Sequence, residues 1–234
     1  MSVAMTTSPA SFVSPDDVQR VAANLADVRR RTERAGGDPA NIAVVAVTKN
    51  FGTNMVLAAH AVGLRAVGEN YVDELEVKRA ELSDLDVAWH YLGALQSNKI
   101  ARVLRVADVV SGVSRAKEIR LIAAQRPGAT IDVQVDLTGA PARNGADAAD
   151  VGALVDLARI SGLEVRGLMT VASPDAARAS QQFARVNELC VELGVAERSM
   201  GMSDDLELAI AQGSTEIRIG RALFGPRPTR TPLT

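Results

Sequence analysis

The sequence is poor in the residues that mark several common classes of protein. Aromatic residues make up 3% of its 234 residues, and Cys190 is the single cysteine. One cysteine cannot form an internal disulfide, which fits a reducing cytosol better than a secreted, disulfide-rich scaffold. No apolar run approaches the roughly 18 residues that a membrane span needs. We therefore expect a cytoplasmic protein without a membrane partner.

An excess of charge of one sign is also lacking. Lys plus Arg total 26 against 28 for Asp plus Glu, and the basic residues are scattered among acidic ones. A nucleic acid or an anionic membrane would call for a basic stripe, so neither partner is expected. No His, Cys or carboxylate group has the spacing of metal ligands, and no Ser-His-Asp or GxGxxG pattern is convincing. Metal sites and these catalytic motifs are therefore not indicated.

What the sequence does contain is an alternation of short apolar runs and longer amphipathic segments. This alternation is typical of a parallel sheet with crossover helices. A leading helix is predicted over about 15–35, and eight strands follow it at about 42–48, 65–68, 87–92, 107–112, 130–137, 164–170, 198–201 and 215–219. Further helices are predicted near 53–62, 71–82, 96–105, 115–125, 147–160, 175–192 and 204–212.

Lys49 ends the apolar run that starts at Ile42. Such a run indicates a strand covered on both faces, so its last side chain emerges where the sheet meets the first loop. The pKa of a free lysine is about 10.4, and partial desolvation favours the neutral amine, which condenses with an aldehyde to give a Schiff base. The alternative is a lysine that caps a strand and points into water.

Two loops near the end of the sequence favour an anion. Ser203 precedes Asp204 and Asp205, and it can act as the N-cap of the helix predicted over 204–212. Gly220 follows the last predicted strand, where a glycine lets backbone N–H groups approach a phosphate closely. Together with a lysine at a strand end, these loops suggest an aldehyde that carries a phosphate.

Several segments resemble a known family, in order from about Pro15 to Arg227. These segments are AVTKN around Lys49, VGENYVDEL at 67–75, WHYLGALQSNK at 89–99, GLMTV at 167–171 and SMGMSDDLELAIAQGSTEIRIGRALFG at 199–225. They resemble the pyridoxal phosphate homeostasis protein family, which is alanine racemase N-terminal-like. The resemblance implies a single (β/α)8 TIM-type barrel of fold-type III over 15–234 with an extra N-terminal helix, and residues 1–14 are expected to be a disordered tail. A barrel of this type typically has about 250 residues, close to the length here. The implied cofactor is pyridoxal 5′-phosphate (PLP), held as an internal aldimine on Lys49.

The resemblance also assigns roles around the PLP ring. It places Arg218 against the pyridine nitrogen; the alternative is an arginine in a surface salt bridge. A guanidinium does not give up its proton, so the ring nitrogen would stay unprotonated and PLP would be a weak electron sink. Asn70 would hydrogen-bond the ring or its 3′-oxygen, or else cap the helix predicted to begin at Tyr71.

The phosphate is expected to meet the two late loops. Ser199 and Ser203 could each donate to it, and Ser203 is favoured because a helix N-terminus is electropositive. Gly220 would offer backbone N–H groups. Arg221 departs from the family pattern, in which threonine is common. Its backbone contact carries over and its guanidinium could add positive charge near the phosphate, whereas the hydroxyl contact of the threonine is lost.

Two reactive side chains are interpreted as structural. Cys190 falls at helical spacing with Phe183 and Val186, which indicates the core. His90, between Trp89 and Tyr91 in a predicted strand, is interpreted as a packed, hydrogen-bonded residue.

The expected function is that of a PLP carrier in vitamin B6 homeostasis, without strong catalytic activity and acting as a monomer. Racemases of this fold type take a tyrosine base from a β-domain after the barrel, whereas this sequence stops at Thr234 and its tyrosines, Tyr71 and Tyr91, lie in early elements. Apo PLP-dependent enzymes are the expected recipients. The alternatives are a small PLP-dependent racemase or decarboxylase, and a cofactor-free aldolase that uses Lys49 as its Schiff-base amine.

Overall fold

A parallel β-barrel organises the protein. The computed structural model describes residues 12–139 and 144–226. Its strands are β1 (Ala43–Val47), β2 (Ala66–Glu69), β3 (Ala88–Tyr91), β4 (Val109–Val113), β5 (Thr130–Asp136), β6 (Ala146–Asp147), β7 (Glu164–Thr170), β8 (Glu197–Ser199) and β9 (Glu216–Ile219). All pairings are parallel, β1 lies beside both β2 and β9, and β4 pairs with β5, so eight strands close into a barrel. β6 pairs only with the end of β5. The predicted barrel is confirmed.

Helices alternate with the strands and surround the barrel. They are α1 (Pro15–Arg34), α2 (Thr53–Ala61), α3 (Val72–Glu81), α4 (Ile100–Val106), α5 (Ala116–Gln125), α6 (Ala148–Ile160), α7 (Ala176–Leu193), α8 (Leu206–Ala211) and α9 (Arg221–Phe224). α1 precedes the first strand, as predicted, and packs against α2, α8 and α9. Its N-cap is Ser14, whose hydroxyl oxygen accepts from the N–H of Asp17 at 3.0 Å.

The predicted elements and the observed ones differ mainly at short segments. Residues 96–99 form a turn closed by a bond from the N–H of Lys99 to the carbonyl of Gln96 (2.8 Å), so α4 begins at Ile100 and not at 96. β6 and α9 were not predicted. Residues 1–11 of the predicted tail, and residues 140–143 and 227–234 of the predicted barrel domain, lie outside the described residues.

The apolar core lies between the strands and the helix ring. Its fully buried side chains include Ile119, Ile122, Phe183 and Leu206, each of which contributes about 1.5 to 3 kcal/mol when it leaves water. Cys190 is buried in this shell and donates to the carbonyl of Glu197 at 3.6 Å. Burial raises the pKa of the Cys190 thiol to about 11, so the thiol stays protonated and has the structural place that its spacing predicts.

The interior of the barrel is polar at the level where the strands begin. Arg166 donates from Nε and Nη2 to both carboxylate oxygens of Asp132 (3.0 and 2.7 Å) and from Nη1 to Glu216 (2.7 Å). The hydroxyls of Ser111 and Ser199 donate to Asp132 (2.7 Å) and Glu216 (2.6 Å). We call these five residues the polar plug. Each buried carboxylate has a cationic partner, which a charge needs when it leaves water.

Within the described residues, 12–139 and 144–226, membrane-spanning helices and metal-binding clusters are both absent. No helix there combines the length and the hydrophobicity that a membrane crossing needs. No group of three or more His, Cys, Asp or Glu side chains there is arranged to hold a metal ion.

Candidate cofactor site

A cavity of about 820 Å³ opens where the barrel strands end. Of the residues predicted to bind the cofactor, those that line it are Lys49, Asn70, Ser203, Arg218, Gly220 and Arg221. They come from distant parts of the sequence and meet because β1 neighbours β2 on one side and β9 on the other. The C-terminal ends of barrel strands are where such sites form, since the following loops converge there.

Lys49 lies in a tight turn directly after β1. The N–H of Phe51 donates to the carbonyl of Thr48 at 3.0 Å, and Asn50 has φ of 65°. A hydrogen bond from the fourth residue to the first, with positive φ at the third, is the pattern of a type II turn, which favours Gly or Asn at that third position. The amine of Lys49 therefore leaves the sheet from a defined turn, with its side chain half-buried at the cavity.

Arg218 is buried and points into the barrel from β9. Its Nη2 donates to the carbonyl of Thr170 (2.6 Å), and Nη1 donates to the hydroxyl (2.9 Å) and the carbonyl of Ser199. Burial lowers the pKa of the Arg218 guanidinium, and the charge of Glu216 opposes this shift. No carboxylate in the described part of the chain lies within salt-bridge distance of it, so the surface salt bridge considered as its alternative is wrong.

Asn70 follows β2 and lines the cavity. The alternative role, as N-cap of the next helix, is wrong: α3 begins at Val72, its N-cap is Tyr71, and no side chain caps it. The carboxamide of Asn70 offers both donors and an acceptor to a ligand.

The two late loops meet at the cavity. The hydroxyl oxygen of Ser203 accepts from the N–H of Ala222 at 3.1 Å, which joins the loop after β8 to the first turn of α9. Ser203 was expected to cap the next helix, and this is wrong: α8 begins at Leu206 with Asp205 as its N-cap. The Arg221 guanidinium pairs with Asp204 across the same junction, and both side chains are exposed.

Gly220 packs closely against the end of β1. A Cβ at this position would lie 3.2 Å from the carbonyl oxygen of Val47, two residues before Lys49. The glycine therefore brings the start of α9 close to the Lys49 turn. In this turn the N–H of Ala222 donates to Ser203 and that of Leu223 to the carbonyl of Gly220 (3.0 Å), so the backbone at Gly220 and Arg221, which lines the cavity, is the part that could donate to an anion.

Ser199 does not line the cavity, and its predicted contact with the phosphate needs correction. Its side chain is fully buried in the polar plug, where its hydroxyl donates to Glu216 and accepts from Arg218. Because this hydroxyl lies inside the barrel and already bonds to Glu216 and Arg218, the structure gives its predicted contact with the phosphate no support. Its place in the structure is to hold Arg218.

The donors around the cavity fit PLP. Lys49 supplies an amine for its aldehyde, Arg218 supplies a buried cation that lacks a carboxylate partner among the described residues, and the Ser203 and Gly220 loops supply anion-binding groups. The cavity volume leaves room for a cofactor of this size.

A parallel barrel with a lysine after its first strand and a buried arginine in the adjoining last strand defines a cofactor-binding barrel of the alanine racemase type. The family described as alanine racemase, N-terminal domain, matches residues 17–228. A pyridoxal phosphate homeostasis protein of Pseudomonas aeruginosa is 40% identical over 225 residues, which cover 92% of this chain and 98% of that protein. The protein of that name from Escherichia coli strain K12 is 33% identical over 227 residues, covering 88% and 97%.

A solved structure agrees with these relatives. PipY of Synechococcus elongatus with PLP bound has a TM-score of 0.76 and 35% identity, over 88% of this chain and 100% of that chain. The chain belongs to the pyridoxal phosphate homeostasis protein family.

Sequence reasoning missed the residues behind the Lys49 turn. Lys78, Glu69 and Glu74 bond to the residues on either side of Lys49. The sequence did contain a sign of the turn itself, because asparagine is one of the residues that tolerate a positive φ in turns. The pairing of Lys78 with Glu69 had no signal, since it depends on how α3 packs against β2.

Proposed function

We propose that this protein binds PLP through a covalent bond to Lys49 and acts as a carrier in PLP homeostasis. The observation that carries the proposal is that Lys49 and Arg218, from the adjacent strands β1 and β9, face one cavity together with two anion-binding loops. The name shared by relatives that match most of the chain supports the same role.

The cofactor, when bound, supplies an electrophilic aldehyde on a conjugated ring. Lys49 would hold the cofactor, because its neutral amine can condense with the aldehyde to give a C=N bond with loss of one water. The turn around Lys49 orients the amine toward the cavity.

Arg218 would bind the ring nitrogen as a donor. Because a guanidinium holds its protons, Arg218 leaves the ring nitrogen unprotonated and limits the electron-withdrawing power of the ring. This favours retention of the cofactor over carbanion chemistry. Asn70 would contact the ring or its 3′-oxygen.

The phosphate would be held where the two late loops meet. Ser203, the backbone at Gly220 and the guanidinium of Arg221 surround this point. The Arg221 pair with Asp204 is exposed, and exposed pairs are weak, so the guanidinium can turn toward a phosphate dianion.

Reduction and peptide mapping test the covalent bond. The sequence has few lysines, namely Lys49, Lys78, Lys99 and Lys117, so the modified peptide is easily assigned. Lys49→Ala is expected to lose the borohydride-reducible PLP adduct completely and to keep its far-UV circular dichroism, because Lys49 lies at the rim and is not packed in the core.

Lys117→Ala, which changes an exposed lysine, is the matched control and should keep the adduct. An adduct that persists in Lys49→Ala at another lysine would overturn the assignment. The monomeric state, the cytoplasmic location and the recipient apo-enzymes stay predictions.

A further inference from the structure

A buried ionic cluster lies behind the Lys49 turn, on the side away from the cavity. Lys78 of α3 is almost fully buried, and its ammonium donates to Oε1 of Glu69 at 2.6 Å and to the carbonyl of Thr48 at 2.7 Å. None of these three residues lines the cavity. The cluster thus cannot touch a ligand there, but it bonds directly to the residue before Lys49.

The residue before Lys49 is held at two points. The carbonyl of Thr48 accepts from Lys78 and from the N–H of Phe51 (3.0 Å), and its hydroxyl donates to the same Oε1 of Glu69 at 2.6 Å. The first residue of the turn therefore has both its backbone and its side chain bonded to the cluster.

The residue after Lys49 is held by a third member of the cluster. The N–H of Asn50 donates to Oε2 of Glu74 at 2.8 Å, and this oxygen lies 3.7 Å from the ammonium of Lys78. Among the described residues, Asn50 is the only non-glycine with positive φ. Asparagine tolerates this conformation better than other non-glycine residues do, and contacts to its backbone keep it there. The bond from Glu74 is such a contact.

The cluster is not arranged for stability alone. Oε2 of Glu69 and Oδ1 of Asn50 are buried without a hydrogen-bond partner in the described structure, and burial raises the pKa of the Glu69 carboxyl against the effect of Lys78. An apolar set of similar volume would avoid these costs, since buried ion pairs rarely stabilise more than well-packed apolar residues do. What the ions provide and apolar groups cannot is directional bonding to the turn.

We propose that Lys78, Glu69 and Glu74 form a positioning clamp, which fixes the residues on both sides of Lys49 and so sets the direction of its amine into the cavity. The clamp rests on the proposed function, because it gives Lys49 its orientation for the cofactor aldehyde. Small displacements of a reacting group are enough to slow a reaction strongly.

Glu74 offers a matched pair of variants. Glu74→Leu removes the acceptor for the N–H of Asn50, whereas Glu74→Gln keeps a carbonyl oxygen in the same place and should rescue the function. We expect the rate of C=N formation with PLP to fall about 10-fold in Glu74→Leu and to stay near the wild-type rate in Glu74→Gln. Stopped-flow absorbance in the visible Schiff-base band measures the rate, and thermal melting confirms that both variants fold.

A second variant removes the Lys78–Glu69 ion pair; Glu74 then loses its cation at 3.7 Å but remains partly exposed to water. Lys78→Met combined with Glu69→Gln keeps the side-chain volumes and should slow C=N formation to a similar extent. If this double variant fails to fold, the two Glu74 variants still decide the question. Equal rates in wild type, Glu74→Leu and Glu74→Gln would show that the cluster has no positioning role and would overturn the proposal.

A measurement without PLP separates the clamp from the cofactor assignment. Acetic anhydride is applied to the apo-protein, and mass spectrometry gives the ratio of Lys49 to Lys117 acetylation. This ratio should change in Glu74→Leu and stay at the wild-type value in Glu74→Gln. An unchanged ratio in both contradicts the clamp, whereas a wild-type protein that forms no adduct with PLP contradicts the proposed function and leaves the ratio test intact.

Discussion

At the scale of single residues, His90 is a buried titratable group that the cofactor site does not use. It lies in β3, about 2% exposed, and its Nδ1 has no hydrogen-bond partner in the described parts of the chain. Burial lowers the pKa of His90 below its ordinary value of 6.5, although the charge of Glu216 opposes the shift. The folded protein therefore holds this imidazole neutral where the unfolded chain would protonate it.

This difference predicts a loss of stability in mild acid. The contribution of a neutral His90 is complete above the unfolded pKa and is lost as pH falls through it, because the unfolded chain then binds the extra proton. Between pH 7 and 5 we expect the free energy of unfolding to fall more steeply in wild type than in His90→Gln. Urea unfolding at several pH values measures both slopes.

His60→Gln is the control, because it shows what the loss of a histidine elsewhere in the protein does to the slope. Parallel slopes in wild type and His90→Gln would mean that His90 is protonated in the folded protein as readily as in the unfolded chain.

Single residues also show how far the sequence could predict the site. Lys49 and Gly220 could be placed because each follows a clear strand, and strand ends meet at one rim. The depth of Ser199 inside the barrel could not be predicted, because the sequence gives the position of a residue along its strand but not the height of that strand in the barrel. Lys78 and Glu69 could not be found, since no local pattern specifies which helix residue reaches a given strand.

At the scale of elements, the junction between β7 and β8 allows no added side chain. Gly167 faces Glu197 in the register, and a Cβ there would lie 2.0 Å from the carbonyl oxygen of Glu197. Backbone cannot move aside as a flexible side chain can. We expect Gly167→Ala to destabilise the protein by about 1 to 3 kcal/mol or more, measured by denaturant unfolding.

Gly152 in α6 is the matched control. Its added Cβ would meet only Leu193, at an ordinary 3.5 Å. Because glycine is a poor helix former, Gly152→Ala should stabilise by about 0.5 to 1 kcal/mol. Destabilisation of the same size in both variants would argue against the close approach at Gly167.

Element boundaries followed the sequence where the apolar runs were clear, as at β1, β5 and β7. Short elements were missed for a physical reason: α9 has four residues and β6 two, too few to show a period. The start of α8 was misplaced because Asp205 binds the N–H of Met202 at 2.6 Å and keeps this segment in a turn.

At the scale of the whole molecule, a carrier must release its cofactor to another protein. PLP-loaded protein is expected to restore the activity of an apo PLP-dependent enzyme even when a phosphatase removes free PLP from solution. Loaded protein reduced with borohydride should restore none, because reduction would turn the proposed C=N bond to Lys49 into a C–N bond that water cannot hydrolyse. Recovered enzyme activity measures the transfer.

Loss of recovery whenever the phosphatase is present would indicate release into solution and not transfer between proteins. Loss of a substrate α-deuteron in buffer during the same incubation would instead indicate an enzyme, the alternative that the sequence left open.

The pattern of residues alone could not predict that the sheet closes into a barrel. Alternating strands and helices are equally typical of an open parallel sheet, and only the resemblance implied a ring. The pairing of Val45 with Arg218 is what closes it, and it joins parts of the chain that no local pattern relates.

The polar plug closes the cavity on the side that faces the barrel interior. Asp132, Ser199 and Glu216 fill the barrel axis just below Arg218, so nothing as large as a cofactor can pass toward the other end. A ligand would therefore enter and leave past the loops at the strand ends, whose residues include Lys49, Asn70 and Ser203. The same loops would then control both loading and delivery of the cofactor.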